Sequence, residues 1–214
     1  MIEILATLYS SVLKYDKNNP TWIDRDRFIL SKGHGALGFY TALLVSGIIS
    51  REVYETYQIN ESNLTTHPVM NLPLGIESSN GSLGQGLSMG VGLAIAAKRK
   101  GMRHKIYVML GDGECNEGSV WEAVMSASNY DLDNLIAIVD FNGFQNDGSS
   151  EKVMKPGNLV RKWDSFGWNA IDVDGHDVSD IYHGFVEGDR SSQPKVLIAK
   201  TVKGYGMGKS GERI

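Results

Sequence analysis

A lone aspartate between two glycines, Gly111-Asp112-Gly113, closes an unbroken apolar run, Ile106-Tyr107-Val108-Met109-Leu110. A continuous apolar run of this length, without polar alternation, reads as a strand buried on both faces, the pattern of a parallel sheet. In open α/β sheets, ligands bind beyond the carboxyl ends of such strands. Glycines there let the backbone take unusual dihedrals and let a ligand come close. A carboxylate at that point reads as too exposed for core packing and well placed to hold a hard cation. A second apolar run, Leu135–Val139, ends in Asp140-Phe141-Asn142-Gly143. Asp112 and Asn142, at two neighbouring strand ends, make an oxygen-ligand pair suited to a Mg²⁺-like ion.

The rest of the chain fits around that pair. Ile4, Leu5, Leu8, Val12 and Leu13 recur at helical spacing and predict a helix over 2–14. A polar segment, 15–27, reads as a loop, and Phe28-Ile29-Leu30 as a short strand ending at Ser31-Lys32-Gly33-His34-Gly35. Helices are predicted over 36–45 and over 51–58, the second behind a Ser50 N-cap. Residues 59–80 read as loop. Gly81-Ser82-Leu83-Gly84-Gln85-Gly86 opens a small-residue helix to about Lys98. A helix over 119–130 joins the two apolar runs. Strands over 168–173 and 196–201 flank a helix at 178–187, capped by Asp177 or Ser179. Strands alternating with helices imply a doubly wound α/β fold, a mostly parallel sheet with helices on both faces. No internal boundary is visible, so residues 1–214 read as one domain.

Several local patterns carry two readings. Gly81–Gly86 before a helix is either an anion cradle, where free N–H groups and the helix dipole favour phosphate, or a glycine turn with tight helix packing. Gly86, Gly90 and Ala94 give that helix one thin face, for the core or for a subunit contact. Asp112 alone could be a helix N-cap, and Asn142 alone a turn residue. An aspartate beside a bound phosphate would be repelled by about 4 kcal/mol at 4 Å and an effective dielectric of about 20, so the combination implies a bridging metal. Glu117 and Glu122 are either solvated first-turn acids or a buried pair able to handle protons. His34 and His67 sit in loops beside small residues or proline, while His104, His176 and His183 have no such company. Cys115 and Trp121, Trp163 and Trp168 read as packing residues. Gly86-Leu87-Ser88-Met89-Gly90 fits a hydrolase nucleophile pattern but lacks the strand that motif needs before its serine. Gly84-x-Gly86-x-x-x-Gly90 misses the dinucleotide fingerprint by one residue.

Bulk properties exclude other classes. The net charge of −4 gives no basis for binding nucleic acid or an anionic membrane surface. One cysteine excludes an internal disulfide and suits a reducing cytoplasm. No run approaches the roughly 18 apolar residues of a membrane span, and Met1-Ile2-Glu3 does not resemble a signal peptide.

The motifs together resemble a known family. Gly111-Asp112-Gly113 with Asn142 downstream resembles the thiamine diphosphate motif. The segment from Asp24 to Gly35, ending Ser31-Lys32-Gly33-His34-Gly35, looks like the histidine loop of transketolases. Gly75-Ile76-Glu77, Gly81–Gly86, Gly111–Gly118, Asn142-Gly143-Phe144-Gln145 and Lys200–Gly204 also match that family. The form is most similar to a separately encoded transketolase N-terminal subunit, over nearly the whole chain. The resemblance implies the thiamine diphosphate-binding fold and its diphosphate-binding domain. It implies Mg²⁺ held by the side chains of Asp112 and Asn142 and by the carbonyl of Phe144. It implies that Gly113 donates to the diphosphate, that Gly81 and Leu83 line the cofactor pocket, and that His34 and His67 lie near diphosphate and substrate. Glu117 and Glu122 match acids buried at the subunit contact. The implied reaction moves a two-carbon ketol unit between sugars or sugar phosphates.

Three departures qualify the match. The family's Gly-His-Pro-Gly segment is expected before residue 1. A later family histidine is missing after Lys203-Gly204. The pyrimidine-binding domain, which supplies the glutamate that activates the cofactor's aminopyrimidine, is not in this chain. A C-terminal pyrimidine-binding partner subunit is therefore expected, in a dimer of heterodimers (a heterotetramer). The alternatives are a 2-oxo acid dehydrogenase or deoxyxylulose phosphate synthase relative, or a non-catalytic binding or scaffold subunit.

Overall fold

The computed structural model describes residues 1–187 and 192–207. Five strands form one parallel sheet: β1 (Arg27–Leu30), β2 (Ile106–Gly111), β3 (Leu135–Phe141), β6 (Asn169–Asp174) and β7 (Lys195–Lys200). Their spatial order is β1-β2-β3-β7-β6. A separate antiparallel hairpin joins β4 (Phe144–Gln145) to β5 (Gly148–Ser149). In the main sheet, Ile106 pairs with Leu135 and Gly111 with Asp140, so the ends of β2 and β3 lie level.

The central strands β2 and β3 are apolar along nearly their whole length because both faces are covered. Successive side chains point to opposite faces. Phe28, Leu30, Tyr107, Met109, Ile136, Ile138 and Leu197 pack under α1 (Ile2–Thr7), α2 (Ala36–Val45) and α8 (Val178–Val186). Ile29, Val108, Leu110, Ala137, Val139 and Ile198 pack under α4 (Gln85–Arg99), α5 (Gly118–Asn129) and α7 (Leu159–Ser165). The doubly wound arrangement read from the sequence is therefore present. The chain leaves β1 towards α2 on one face and β2 towards α5 on the other. In doubly wound sheets ligands bind at such a point of divergence, here the carboxyl ends of β1 and β2.

The thin face of α4 is used inside the domain. A Cβ added at Gly90 would lie 2.6 Å from the Val108 side chain, and one at Gly86 would lie 2.5 Å from Ser31 Cβ. The helix lies too close to β1 and β2 for any side chain at those points. Gly84, just before α4, has φ +82°, a left-handed conformation that only glycine takes readily.

Several boundaries differ from the sequence reading. The first helix does not run regularly to residue 14. After Thr7 it widens, and the Leu13 N–H reaches back five residues to the Leu8 carbonyl at 2.8 Å. The helix behind Ser50, α3 (Arg51–Tyr54), is only four residues long before irregular turns, although Ser50 does cap it by accepting from the Val53 N–H. The strand expected from Trp168 starts one residue later. Trp168 instead fills the core and donates its indole N–H to the Val124 carbonyl at 2.9 Å. Asp177, not Ser179, caps α8. The hairpin, α6 (Ser150–Val153) and α7 have no counterpart in the sequence reading. Among the described residues, no helix is long and apolar enough to cross a membrane. Residues 208–214 of the span read as one domain lie outside the described residues.

Candidate active site

The segments 31–35, 81–86, 111–118, 142–145 and 200–204 come to the carboxyl ends of β1, β2, β3 and β7. Glu122 on α5 does not, and neither does the 75–77 segment, whose Glu77 is paired with Arg25 and Arg27 at the amino end of β1. The side chain of Asp112, one residue past β2, is not exposed as the sequence suggests but almost wholly enclosed, because the loops after β2 and β3 close over it: the residue is 1 % exposed. Its side chain does not cap the short turn that follows. It accepts instead from the hydroxyl of Ser150 at 2.7 Å. Burial raises the Asp112 carboxyl above its usual range, and the Ser150 hydroxyl offsets this only in part. A carboxylate so placed has a charge that its own protein under-compensates, and a cation would be the natural complement.

Asn142 lies just past the end of β3. Its side-chain oxygen accepts from the Phe144 N–H at 2.9 Å, so in the bare chain it forms the local turn that Asn favours. An amide oxygen has a second lone pair, which leaves it able to act as a ligand. Ser150 couples the two ends. Its N–H donates to the Gly143 carbonyl at 2.8 Å while its hydroxyl donates to Asp112. One residue of α6 thus fastens the loop after β3 to the loop after β2. Gly113 lies against Gln145 of the hairpin; a Cβ there would be 2.8 Å from the Gln145 side chain. Oxygen donors, not a His or Cys cluster, make up this set, and they fit a Mg²⁺-type ion. Among the described residues no group of three His, Cys, Asp or Glu side chains converges as a metal site.

The histidines gather on the β1 side. His34 follows Gly33, and the His67 ring lies against that glycine, 2.9 Å from where a Cβ would be. Gly81 touches the same ring from the other loop, at 3.8 Å by the same measure. His34 is exposed at the cleft rim, and its pKa lies below the ordinary value. Partial burial of the ring is the main cause, followed by the charges of Lys32 and His67. The imidazole is therefore neutral near pH 7, with one nitrogen as donor and one as acceptor. Lys203 also bears on His34, and its ammonium sits 5.9 Å from the centre of the Phe144 ring. Leu83 and Phe144 present exposed apolar surface here.

Three residues of the site escaped the sequence reading. Lys32 and Asp140 form a buried ion pair at 2.6 Å, and Thr201 donates to the other Asp140 oxygen at 2.6 Å. This ties the ends of β1, β3 and β7 together under the histidines. Burial pushes the Asp140 carboxyl up, but the nearby ammonium groups, Lys32 foremost, and the Thr201 hydroxyl more than reverse that. Its pKa ends below the usual value, so its stabilising contribution is full above the unfolded value and is lost as pH falls through the folded one. Lys32→Met removes the nearest cation of a buried carboxylate and is expected to cost about 3–5 kcal/mol. Denaturant unfolding near pH 7 measures this. Adding Asp140→Asn to that variant should restore much of the loss, and a purely additive further loss would contradict the pairing.

The third is Glu114, which is 3 % exposed. Its carboxylate accepts from the Gly84 N–H at 2.9 Å, from the Gly111 N–H at 3.1 Å, and from the Ser31 hydroxyl. The glycine loop does hold a carboxyl group, but at Gly84 it is the protein's own Glu114, whose pKa burial raises and these three donors bring back only in part. The other acids differ. Glu117 lies against Gly84, and both Glu117 and Glu122 are exposed in the single chain. Cys115 is buried, its thiol pushed far above the usual range by burial, and it packs as expected. Ser88 sits within α4, not after a strand, which removes the hydrolase pattern.

Residues 1–213 match the family model described as the transketolase thiamine diphosphate binding domain. The chain belongs to the transketolase family. It is 41 % identical over 207 residues to one of the subunits of an apulose-4-phosphate transketolase from Phocaeicola vulgatus, covering 96 % of this chain and 73 % of that one. It is 39 % identical to a 6-deoxy-6-sulfo-D-fructose transketolase subunit of a Clostridium species, covering 95 % and 74 %. The fold matches the transketolase of Campylobacter jejuni with a TM-score of 0.90 at 33 % identity. It matches that of Leishmania mexicana with a TM-score of 0.89 at 31 % identity. The chain covers 98 % and 95 % of itself in these two alignments, but spans only about a third of either solved chain, 34 % and 32 %. The thiamine diphosphate-binding α/β fold of the transketolases is thus the fold of this chain.

Proposed function

We propose that this chain is the diphosphate-binding subunit of a split transketolase, moving a two-carbon ketol unit between sugars or sugar phosphates. Residues 1–214 form the diphosphate-binding domain, and a separate C-terminal subunit supplies the pyrimidine-binding domain. The observation that carries the reading is Asp112: a buried, under-compensated carboxylate at the carboxyl end of a central parallel strand, tied through Ser150 to the Asn142 loop. Its relatives are named as individual transketolase subunits, which supports the division of the enzyme between two chains. A dimer of heterodimers in the cytoplasm completes the proposal.

In this reading the side chains of Asp112 and Asn142 and the carbonyl of Phe144 hold Mg²⁺, and the Gly113 N–H donates to the diphosphate. Gly81 and Leu83 line the pocket beyond His67. Bound thiamine diphosphate supplies the electron sink that breaking a carbon–carbon bond beside a carbonyl requires. His34 and His67 orient the sugar by hydrogen bonds and can give or take a proton at its hydroxyls. Glu117 and Glu122, exposed in the lone chain, become buried against the second copy, where Glu117 relays protons. The test is ketol transfer measured with and without the co-expressed partner. Full activity of the lone chain would overturn the split site. Loss of all cofactor binding in the assembled protein would favour a scaffold role instead.

A further inference from the structure

Glu114 stands apart from the residues assigned above. It lies two residues beyond Asp112 yet turns away from the cation position, beneath the glycine loop. Three segments far apart in sequence meet on its one carboxylate: Ser31 at the end of β1, Gly84 at the start of α4 and Gly111 at the end of β2. Ser31 precedes the Lys32–His34 turn, Gly84 follows Gly81–Leu83, and Gly111 precedes Asp112. The three strips thus held carry the histidine, the pocket-lining loop and the metal-binding aspartate.

An internal carboxylate suits this task for a physical reason. An ionised carboxylate has only acceptor sites, about four of them, and so can fasten several N–H and O–H groups at once. Bonds to an ionised acceptor are roughly twice as strong as neutral ones. Gly84 and Gly111 are buried at these points, so without Glu114 their N–H groups would have to find other acceptors. α4 packs too tightly on β1 and β2 at Gly86 and Gly90 to leave room for a larger substitute side chain.

We propose that Glu114 is a positioning residue that preassembles the cofactor-binding edge, holding the Ser31–His34 turn and the Gly81–Gly84 loop in register with Asp112 before any ligand arrives. This rests on the reading of the cleft as a thiamine diphosphate site. A carboxamide keeps the shape but replaces one acceptor atom with a donor, which then faces the N–H of Gly84 or of Gly111, a group that cannot accept from it.

The experiment titrates thiamine diphosphate at saturating Mg²⁺ into the assembled two-subunit protein by calorimetry, for the parent, Glu114→Gln, Ser31→Ala and the double variant. Hydrogen exchange of the 81–87 segment is followed alongside. Glu114→Gln should weaken cofactor binding by about 10–100-fold, as outer-shell substitutions at metal sites do. Protection should fall in 81–87 and remain in the carboxyl half of α4. Ser31→Ala should lose less, and the double variant no more than Glu114→Gln alone, because one network has been cut twice. Should Glu114→Gln not fold, Ser31→Ala alone decides by the same affinity and exchange readouts. Unchanged affinity in the folded variants, or exchange raised evenly through the whole chain, would overturn the proposal. A parent that binds no cofactor would instead refute the reading of the site on which it rests.

Discussion

Asp112→Ala is expected to abolish Mg²⁺-dependent thiamine diphosphate binding while leaving the fold standing. The magnitude follows from the charge removed. A carboxylate about 4 Å from a charge of opposite sign contributes about 4 kcal/mol at an effective dielectric of about 20, or roughly a thousandfold in affinity. Stability should behave differently. Burial raises the Asp112 pKa, so the folded chain binds that proton more tightly than the unfolded one. Its favourable contribution is present below the unfolded value and is lost as pH rises through the folded one. At neutral pH the bare carboxylate therefore opposes folding. Asp112→Asn, which keeps an oxygen for the Ser150 hydroxyl, should match or exceed the parent in unfolding temperature without ligand. Functional sites commonly carry such a stability cost. Calorimetric titration with a parallel melting curve checks both halves. Equal cofactor affinity in the variants would remove Asp112 from the site.

The second large effect concerns the partner. Ketol transfer should be absent from the lone chain and appear on co-expression with its C-terminal subunit. Catalytic residues that act as a unit lose nearly everything when part of the set is missing, so the expected difference is of several orders of magnitude. The lone chain also leaves Glu117, Glu122 and the apolar residues Leu83, Met125 and Phe144 exposed. Burial of these on assembly should appear as slowed hydrogen exchange of 117–126 in the complex. A lone chain as active as the mixture would refute the division of the site.

Much of this was legible in the sequence, for reasons that differ by element. β2 and β3 were readable because both faces are covered, which makes the runs apolar without alternation, and their ends are marked by Gly111-Asp112-Gly113 and Asn142-Gly143. The helices over 36–45 and 85–99 announced themselves by small and apolar residues at helical spacing. α7 was missed although Asn158 caps it by accepting from the Arg161 N–H, because its two buried anchors, Leu159 and Trp163, are too few to set a period. The hairpin at 144–149 has two-residue strands, too short for any pattern. Within the site, Asp112 and Asn142 were visible as strand-end residues. Glu114 was not, because spacing tells which residues follow a strand but not which way a tight turn aims them. The turn at Gly113–Asn116 swings Glu114 back under Gly111. The Lys32–Asp140 pair joins residues of β-ends far apart in the chain, and only the strand order brings them together. The Gly84 N–H of the loop read as an anion cradle donates to the protein's own Glu114, a partner that sequence spacing does not reveal.

Titrating thiamine diphosphate into the assembled protein, once with Mg²⁺ and once after chelation, tests the whole account most directly. Oxygen donors at the ends of β2 and β3 that clamp a cation to a diphosphate require binding with the metal and an affinity about a thousandfold lower without it. Equal affinity in the two titrations would contradict it.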